Sequence, residues 1–265
     1  MVGPRRVVAI IQCRMSSTRL PGKALLDLYG KSLLARVIER TCAAQTIDEV
    51  WVATSTEIAD DIIALTAGGL GATVFRGPLD DVLARYQGAA RASQADVIVR
   101  VTSDNPLTEP RFIDLCVGEL LAGDLDHVVI APVPRGTGVE AISRRALNMA
   151  AHEAGEAYDR EHVTPFIKKR PDQFKLARIA NPYPALARAD VRITLDTPED
   201  HLLLSKIFNN FPDKTHPILE DVIAYHNGLA KITKEICLPK SAIVTGNSAL
   251  IDASQLNVAQ NRQIA

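Results

Sequence analysis

Residues 7–26 constrain this chain more than any other stretch. An apolar run, Val7-Val8-Ala9-Ile10-Ile11, empties into Gln12-Cys13-Arg14-Met15-Ser16-Ser17-Thr18-Arg19-Leu20-Pro21-Gly22-Lys23. The run is short, rich in β-branched residues and free of polar alternation, which predicts a strand buried on both faces of a parallel sheet. It delivers a cationic loop. Arg14, Arg19 and Lys23 stand among small residues whose N–H groups can face an anion, and Pro21-Gly22 turns the chain back. That is chemistry for a polyphosphate. It is not the phosphate loop of the nucleotide triphosphatases, because Ala24 follows Lys23 and the upstream glycine is absent. On the residues alone, a solvated basic loop stays open as the alternative.

The rest of the first half alternates two periods. Ser32 precedes a helical spacing of Leu33, Leu34, Val37, Ile38 and Cys42. Strands are predicted over 48–54, 73–75 and 96–101, and helices over 60–67, 80–92 and 111–121. Short connections between strand and helix are the signal of a parallel sheet covered by helices, whose ligands collect at the carboxyl ends of the strands. The fourth strand runs into Thr102-Ser103-Asp104-Asn105-Pro106. Pro106 disfavours helix at Asn105, so Asp104 is presented at a strand tip, as a crevice carboxylate or as a turn residue.

After a strand at 127–130 the rhythm breaks. Pro132, Pro134, Gly136 and Gly138 open an excursion that leads to a strand over 139–143, a helix over 145–154 and a second helix over 159–169. Strands are predicted again at 174–179 and 191–195, the second ending at Asp196. Thr197-Pro198-Glu199-Asp200 is then a helix start, with Thr as cap, Pro in the first turn and acids facing the positive end of the dipole. A further helix is expected over 218–225, and residues 241–265, rich in Asn, Gln, Ser and Ala, read as a loosely held tail.

At 265 residues one principal domain is expected. Thirty basic residues against 31 acidic ones, a net charge of −1, argue against broad capture of nucleic acid or anionic membrane. No stretch is long and apolar enough for a signal or a span, so a cytoplasmic protein is expected. Cys13, Cys42, Cys116 and Cys237 are scattered and the histidines unpaired, so any metal should sit on carboxylates.

The run Q-C-R-M-S-S-T-R-L-P-G-K-A-L-L resembles the signature loop of the CMP-sugar synthetase-like cytidylyltransferases. The closest branch is that of spore-coat polysaccharide biosynthesis, akin to the sialic acid and Kdo activating enzymes. Cys13 stands where the family usually has Ala. The resemblance implies an α/β, Rossmann-like nucleotide-diphospho-sugar transferase fold with a mainly parallel sheet. It divides the chain into a cytidylyltransferase domain over 1–230, an excursion over 131–190 for acceptor binding and dimerisation, and a tail over 231–265.

It also implies roles. Arg14, Arg19 and Lys23 would hold the triphosphate of CTP and act in catalysis with Asp104; Gln12, Ser17 and Thr102 join them as nucleotide contacts. Asp104 matches the Asp of a G-D-x-P type motif, with Ser103 replacing Gly, and Asp196 matches the first Asp of R-x-T-x-D-x-P-E-D through Arg192, Thr194, Pro198, Glu199 and Asp200. These two would bind Mg²⁺. The V-E-x-x-S and R-E-H-V-T-P-F-I segments make Glu140, Arg160, Glu161 and His162 candidates for the acceptor, and Arg135 could join Arg160 and His162 in meeting a carboxylate. The implied activity is transfer of CMP from CTP to an acidic keto-sugar with release of pyrophosphate, by a homodimer that uses neither nucleic acid nor membrane. Rival readings are a cytidylyltransferase for a phosphonate or phosphate acceptor, a sugar-nucleotide glycosyltransferase, and a non-catalytic nucleotide-binding subunit.

Overall fold

The apolar run forms β1 (Val7–Gln12), an inner strand of a seven-stranded sheet, in a computed structural model that describes residues 5–211 and 217–237. Its neighbours are β2 (Glu49–Ser55) and β4 (Val97–Thr102), both parallel to it, and β3 (Thr73–Gly77) lies outside β2. Beyond β4 come β6 (Glu140–Ser143), β5 (His127–Ala131) and β7 (Leu176–Ala180), giving the order β3-β2-β1-β4-β6-β5-β7. β6 is antiparallel to both of its neighbours, which is how the strand predicted after the excursion leaves the alternation. The chain winds outward from β1 to β3 and then returns to place β4 on the other side of β1. The switch point therefore falls between the tips of β1 and β4.

β1 lacks polar alternation because both of its faces are covered. Val7, Ala9 and Ile11 join one core with residues of α1 (Leu33–Cys42), α2 (Asp61–Gly69), α4 (Pro110–Ala122) and α8 (Pro198–Asn210). Val8 and Ile10 join a second core, packed by α3 (Val82–Ala92), α5 (Arg144–Glu153) and α7 (Pro165–Lys168). Each fully buried Val or Ile contributes about 1.5–3 kcal/mol, so neither face tolerates a polar change. Local signals set the helix starts. Ser32 accepts a hydrogen bond from the Ala35 N–H, and Thr197 and Asp200 form a reciprocal capping box at α8.

Two predicted elements take another form. The helix expected over 159–169 is divided into α6 (Ala157–His162) and α7, because Val163 adopts a φ of 70° and Pro165 restarts the helix without an N–H to give. The strand expected over 191–195 is extended, but it makes only an isolated bridge, Arg135 to Arg192. Its hydrogen bonds go elsewhere. Arg135 N–H donates to Val191 O, Ile193 N–H to Arg135 O and Leu195 N–H to Asp104 O, so the segment laces the excursion to the tip of β4 instead of widening the sheet. Gly136 makes this lacing possible: its φ is 107°, and a Cβ there would lie 2.7 Å from the Ile193 backbone.

The chain divides into two units, 1–226 and 227–265, and the sheet belongs to the first. The helix predicted near 218–225 is α9 (Leu219–Cys237). The tail expected at 241–265 lies outside the described residues. No helix among the described residues is long and apolar enough to cross a membrane.

Candidate active site

At the switch point the tips of β1 and β4 open into a cleft of ≈ 350 Å³, within the usual size of a small-molecule site, about 300–1,000 Å³. Gln12, Arg14, Ser17, Arg19 and Lys23 from the first loop line it, with Thr102 and Asp104 from the end of β4, Glu161 and His162 from α6, and Asp196. The loop's shape is held from beneath. Asp60, 2 % exposed, accepts from the Met15 N–H at 2.7 Å and from both the N–H and the hydroxyl of Ser55, tying the loop to the end of β2. Met15 O then accepts from the Ser17 and Gly22 N–H groups, and Gly22 turns at φ 71°.

The three segments singled out in the sequence meet at one lysine. Lys23 Nζ donates to Leu195 O at 2.7 Å and to Asp196 Oδ1 at 3.0 Å, and lies 3.5 Å from Asp104 Oδ2. Asp196, 3 % exposed, is also paired with Arg19 Nη2 at 2.9 Å and Arg192 Nη2 at 2.9 Å. Burial alone would raise its pKa, but the hydrogen bonds from Arg192 and Lys23 and the charge of Arg19 hold it below the usual carboxylate range. Arg192 is itself fixed by Asp200 at 3.0 Å, and Asp200 accepts from the Asp196 and Thr197 N–H groups. The helix cap thus also orients the carboxylate ahead of it.

Asp104 and Asp196 offer the oxygen donors a hard divalent ion takes. Among the described residues no group of three or more His, Cys, Asp or Glu could hold a metal. The donor set fits an ion that takes most of its ligands from a bound polyphosphate and from water. Cys13 also lines the cleft, but burial pushes its thiol up to about 12, so it is no nucleophile near neutral pH.

The acceptor candidates separate. Glu161 and His162 reach the cleft; Glu161 Oε1 stands 3.7 Å from Arg14 Nη2, and the His162 ring packs on Tyr158 with centroids 4.4 Å apart. Arg160 lies outside the lining, where it donates to Asp81 Oδ2 at 2.7 Å and to Ala154 O at 2.7 Å, fastening α6 to the cap of α3. Arg135 is exposed and outside it too. Glu140 stands behind the wall, paired with Arg100 at 3.1 Å, His127 at 2.6 Å and Lys168 at 3.3 Å.

The sequence reading missed Thr18, Val82, Arg85 and Arg100, which also line the cleft. A signal existed for two of them. Arg100 is a lone charge inside the apolar strand Val97-Ile98-Val99-Arg100-Val101, and Arg85 shares the buried helical face of Val82 and Tyr86. Arg85 is 1 % exposed and its Nη1 donates to Pro78 O and Leu79 O, each at 2.6 Å. Tyr86 Oη lies 3.0 Å from both Ile10 O and Val101 O, bracing β1 against β4 under the cleft.

The chain is similar to known proteins. The chain is 31% identical over 197 residues to a 3-deoxy-manno-octulosonate cytidylyltransferase of Anaeromyxobacter dehalogenans, covering 74% of this chain and 75% of the relative. It is 29% identical over 226 residues to the spore coat polysaccharide biosynthesis protein SpsF of Bacillus subtilis, covering 83% and 94%. The solved structure of a cytidylyltransferase from Leptospira borgpetersenii superposes with a TM-score of 0.77 at 28% identity, covering 94% of this chain and all of that one. A cytidylyltransferase family model matches residues 8–236, from the second residue of β1 to the penultimate residue of α9. By that match, and by the nucleotidyltransferase fold around its cleft, the chain belongs to the cytidylyltransferase family.

Proposed function

We propose that this protein transfers CMP from CTP to an acidic keto-sugar of the sialic acid or Kdo kind, with Mg²⁺-dependent release of pyrophosphate, in surface polysaccharide synthesis. One observation carries the reading: the three cations of the first loop and two carboxylates from distant segments share one cleft at the switch point. The relatives named for 3-deoxy-manno-octulosonate and for spore coat polysaccharide support the acceptor class.

The residues divide the work. Arg14, Arg19 and Lys23 receive the triphosphate, and the loop's fixed N–H groups make that binding pre-organised. Asp104 and Asp196 would hold Mg²⁺, which when bound would neutralise phosphate charge. The acceptor's hydroxyl oxygen attacks the α-phosphorus in line; one P–O bond forms while the bond to the pyrophosphate oxygen breaks, and the hydroxyl proton leaves to a base. Lys23, exchanging its carboxylate partners for phosphate, stabilises the negative charge that grows on the leaving group. Glu161 and His162 face the acceptor's polar groups from α6.

The test is to incubate the protein with CTP, Mg²⁺ and either 3-deoxy-manno-octulosonate or N-acetylneuraminate, with mass spectrometry of the products. A CMP-linked sugar is expected. Phosphorylated or glycosyl-transferred products without a CMP linkage would overturn the reading.

A further inference from the structure

The cleft contains a guanidinium that none of the phosphate-binding roles requires. Arg100 lines the cleft from within β4, and its side chain is 15% exposed. Directly opposite it across the antiparallel β4–β6 pair stands Glu140. Arg100 Nη1 donates to Glu140 Oε1 at 3.1 Å, whereas its Nε is buried without a hydrogen-bond partner among the described residues. That Nε, which has no protein acceptor, belongs to the Nε/Nη2 edge, the side of a guanidinium that matches a carboxylate with two parallel N–H groups.

Glu140 does not neutralise Arg100 alone. Its other oxygen is 2.6 Å from His127 Nε2, with His127 2 % exposed, and Lys168 Nζ lies 3.3 Å away. One carboxylate shared by these partners leaves the wall electropositive and fixes the guanidinium against the sheet. The triphosphate loop, with Arg14, Arg19 and Lys23, carries its own cations, so an anion at Arg100 is a separate group. Two other cleft residues, Glu161 and His162, belong to the excursion.

Resting on the functional reading above, we propose that Arg100 receives the carboxylate of the acidic acceptor, and that Glu140, backed by His127, is the positioning residue that aims it. Glu140 thereby serves the acceptor without touching it. The pair selects acids over neutral sugars, because a buried guanidinium edge left unpaired by a neutral acceptor is costly.

The experiment measures pyrophosphate release with 3-deoxy-manno-octulosonate and N-acetylneuraminate, each beside its methyl ester, and CTP binding by calorimetry. Wild type should prefer acid to ester by roughly thirtyfold or more in kcat/KM, the scale of a charged hydrogen bond. Arg100→Met should raise the KM for the acid by a similar factor, bring the acid-to-ester ratio near one, and leave CTP affinity within about threefold. Arg100→Lys should not restore the ratio, since an ammonium lacks the fork. Glu140→Gln should raise KM for the acid more than it lowers kcat. Because Arg100→Met leaves Glu140 short of a partner, the double variant Arg100→Met/Glu140→Gln keeps the test valid if the single one folds poorly. An Arg100 variant that folds and still discriminates acid from ester, or that loses CTP binding and acceptor use equally, overturns the assignment. Wild type that releases no pyrophosphate with either acid defeats the functional reading itself.

Discussion

Lys23 Nζ lies 3.0 Å from Asp196 Oδ1 and 3.5 Å from Asp104 Oδ2, so the cation of the first loop bridges the two carboxylates best suited to a divalent ion. An ammonium and a metal compete for the same oxygens. Lys23→Met should therefore bind Mn²⁺ roughly tenfold more tightly than wild type without nucleotide, while turnover falls about a hundredfold or more as the transition state loses a stabilising charge. Electron paramagnetic resonance of free Mn²⁺ checks the first part. Unchanged Mn²⁺ affinity would mean that the lysine does not occupy the ion's position.

The loop's dependence on Asp60 gives a second expectation. This carboxylate accepts from the Met15 N–H and from Ser55, and no cleft residue replaces it. Asp60→Asn keeps the shape but must turn an N–H₂ toward one of those donors. Stability should fall by about 1–3 kcal/mol, and CTP affinity by roughly tenfold as the loop loosens. Calorimetry beside urea unfolding separates the two; wild-type CTP affinity in the folded variant would show that the loop is held without it.

Arg160 is expected to behave as a fastener. Its bonds to Asp81 and to Ala154 O join α6 to the cap of α3 and leave nothing for a ligand in the cleft. Arg160→Ala should cost about 1–2 kcal/mol of stability and leave the acceptor's KM within about threefold once folded. A large rise in KM at unchanged stability would return Arg160 to the acceptor site.

How far the sequence foretold this site depends on where each residue's partners lie. Asp104 and Asp196 were legible because each stands at the end of an apolar run, and Lys23 because it closes the cationic loop that follows one. Their convergence was legible only through the strand–helix alternation, which puts strand tips at one edge. Arg160 and Glu161 were indistinguishable, since adjacent helical residues face about 100° apart and only packing decides which meets the cleft. Arg100 and Glu140 were separated by 40 residues and became a pair through β6, a predicted strand whose antiparallel pairing with β4 no periodicity pointed to. The segment 191–195 read as a strand because its pattern is that of buried extended chain; that its hydrogen bonds go to Arg135 and Asp104 is a tertiary fact.

The half-buried carboxylate of Glu140 also predicts a pH dependence. Burial would raise its pKa, but the hydrogen bond from His127 and the charges of Arg100 and Lys168 hold it well below the ordinary value. A lowered folded pKa means stability that is fully present above the unfolded value, about 4.3, and lost as pH falls toward the folded one. The wild-type advantage over Glu140→Gln in urea midpoint should be constant from about pH 6 to 7 and shrink below about pH 4. A difference that does not vary with pH would show that the carboxylate's charge contributes nothing.

The central claim is that the cleft joins a cytidine nucleotide to an acid. Pyrophosphate release from CTP, ATP, GTP and UTP, each with Mg²⁺ and a panel of acidic keto-sugars beside neutral hexoses, tests it most directly. The account predicts release from CTP alone, only with an acidic keto-sugar, and its loss in Lys23→Ala protein that remains folded. Release that is indifferent to the nucleotide, or that proceeds as well with a neutral sugar or with Lys23→Ala, would contradict it.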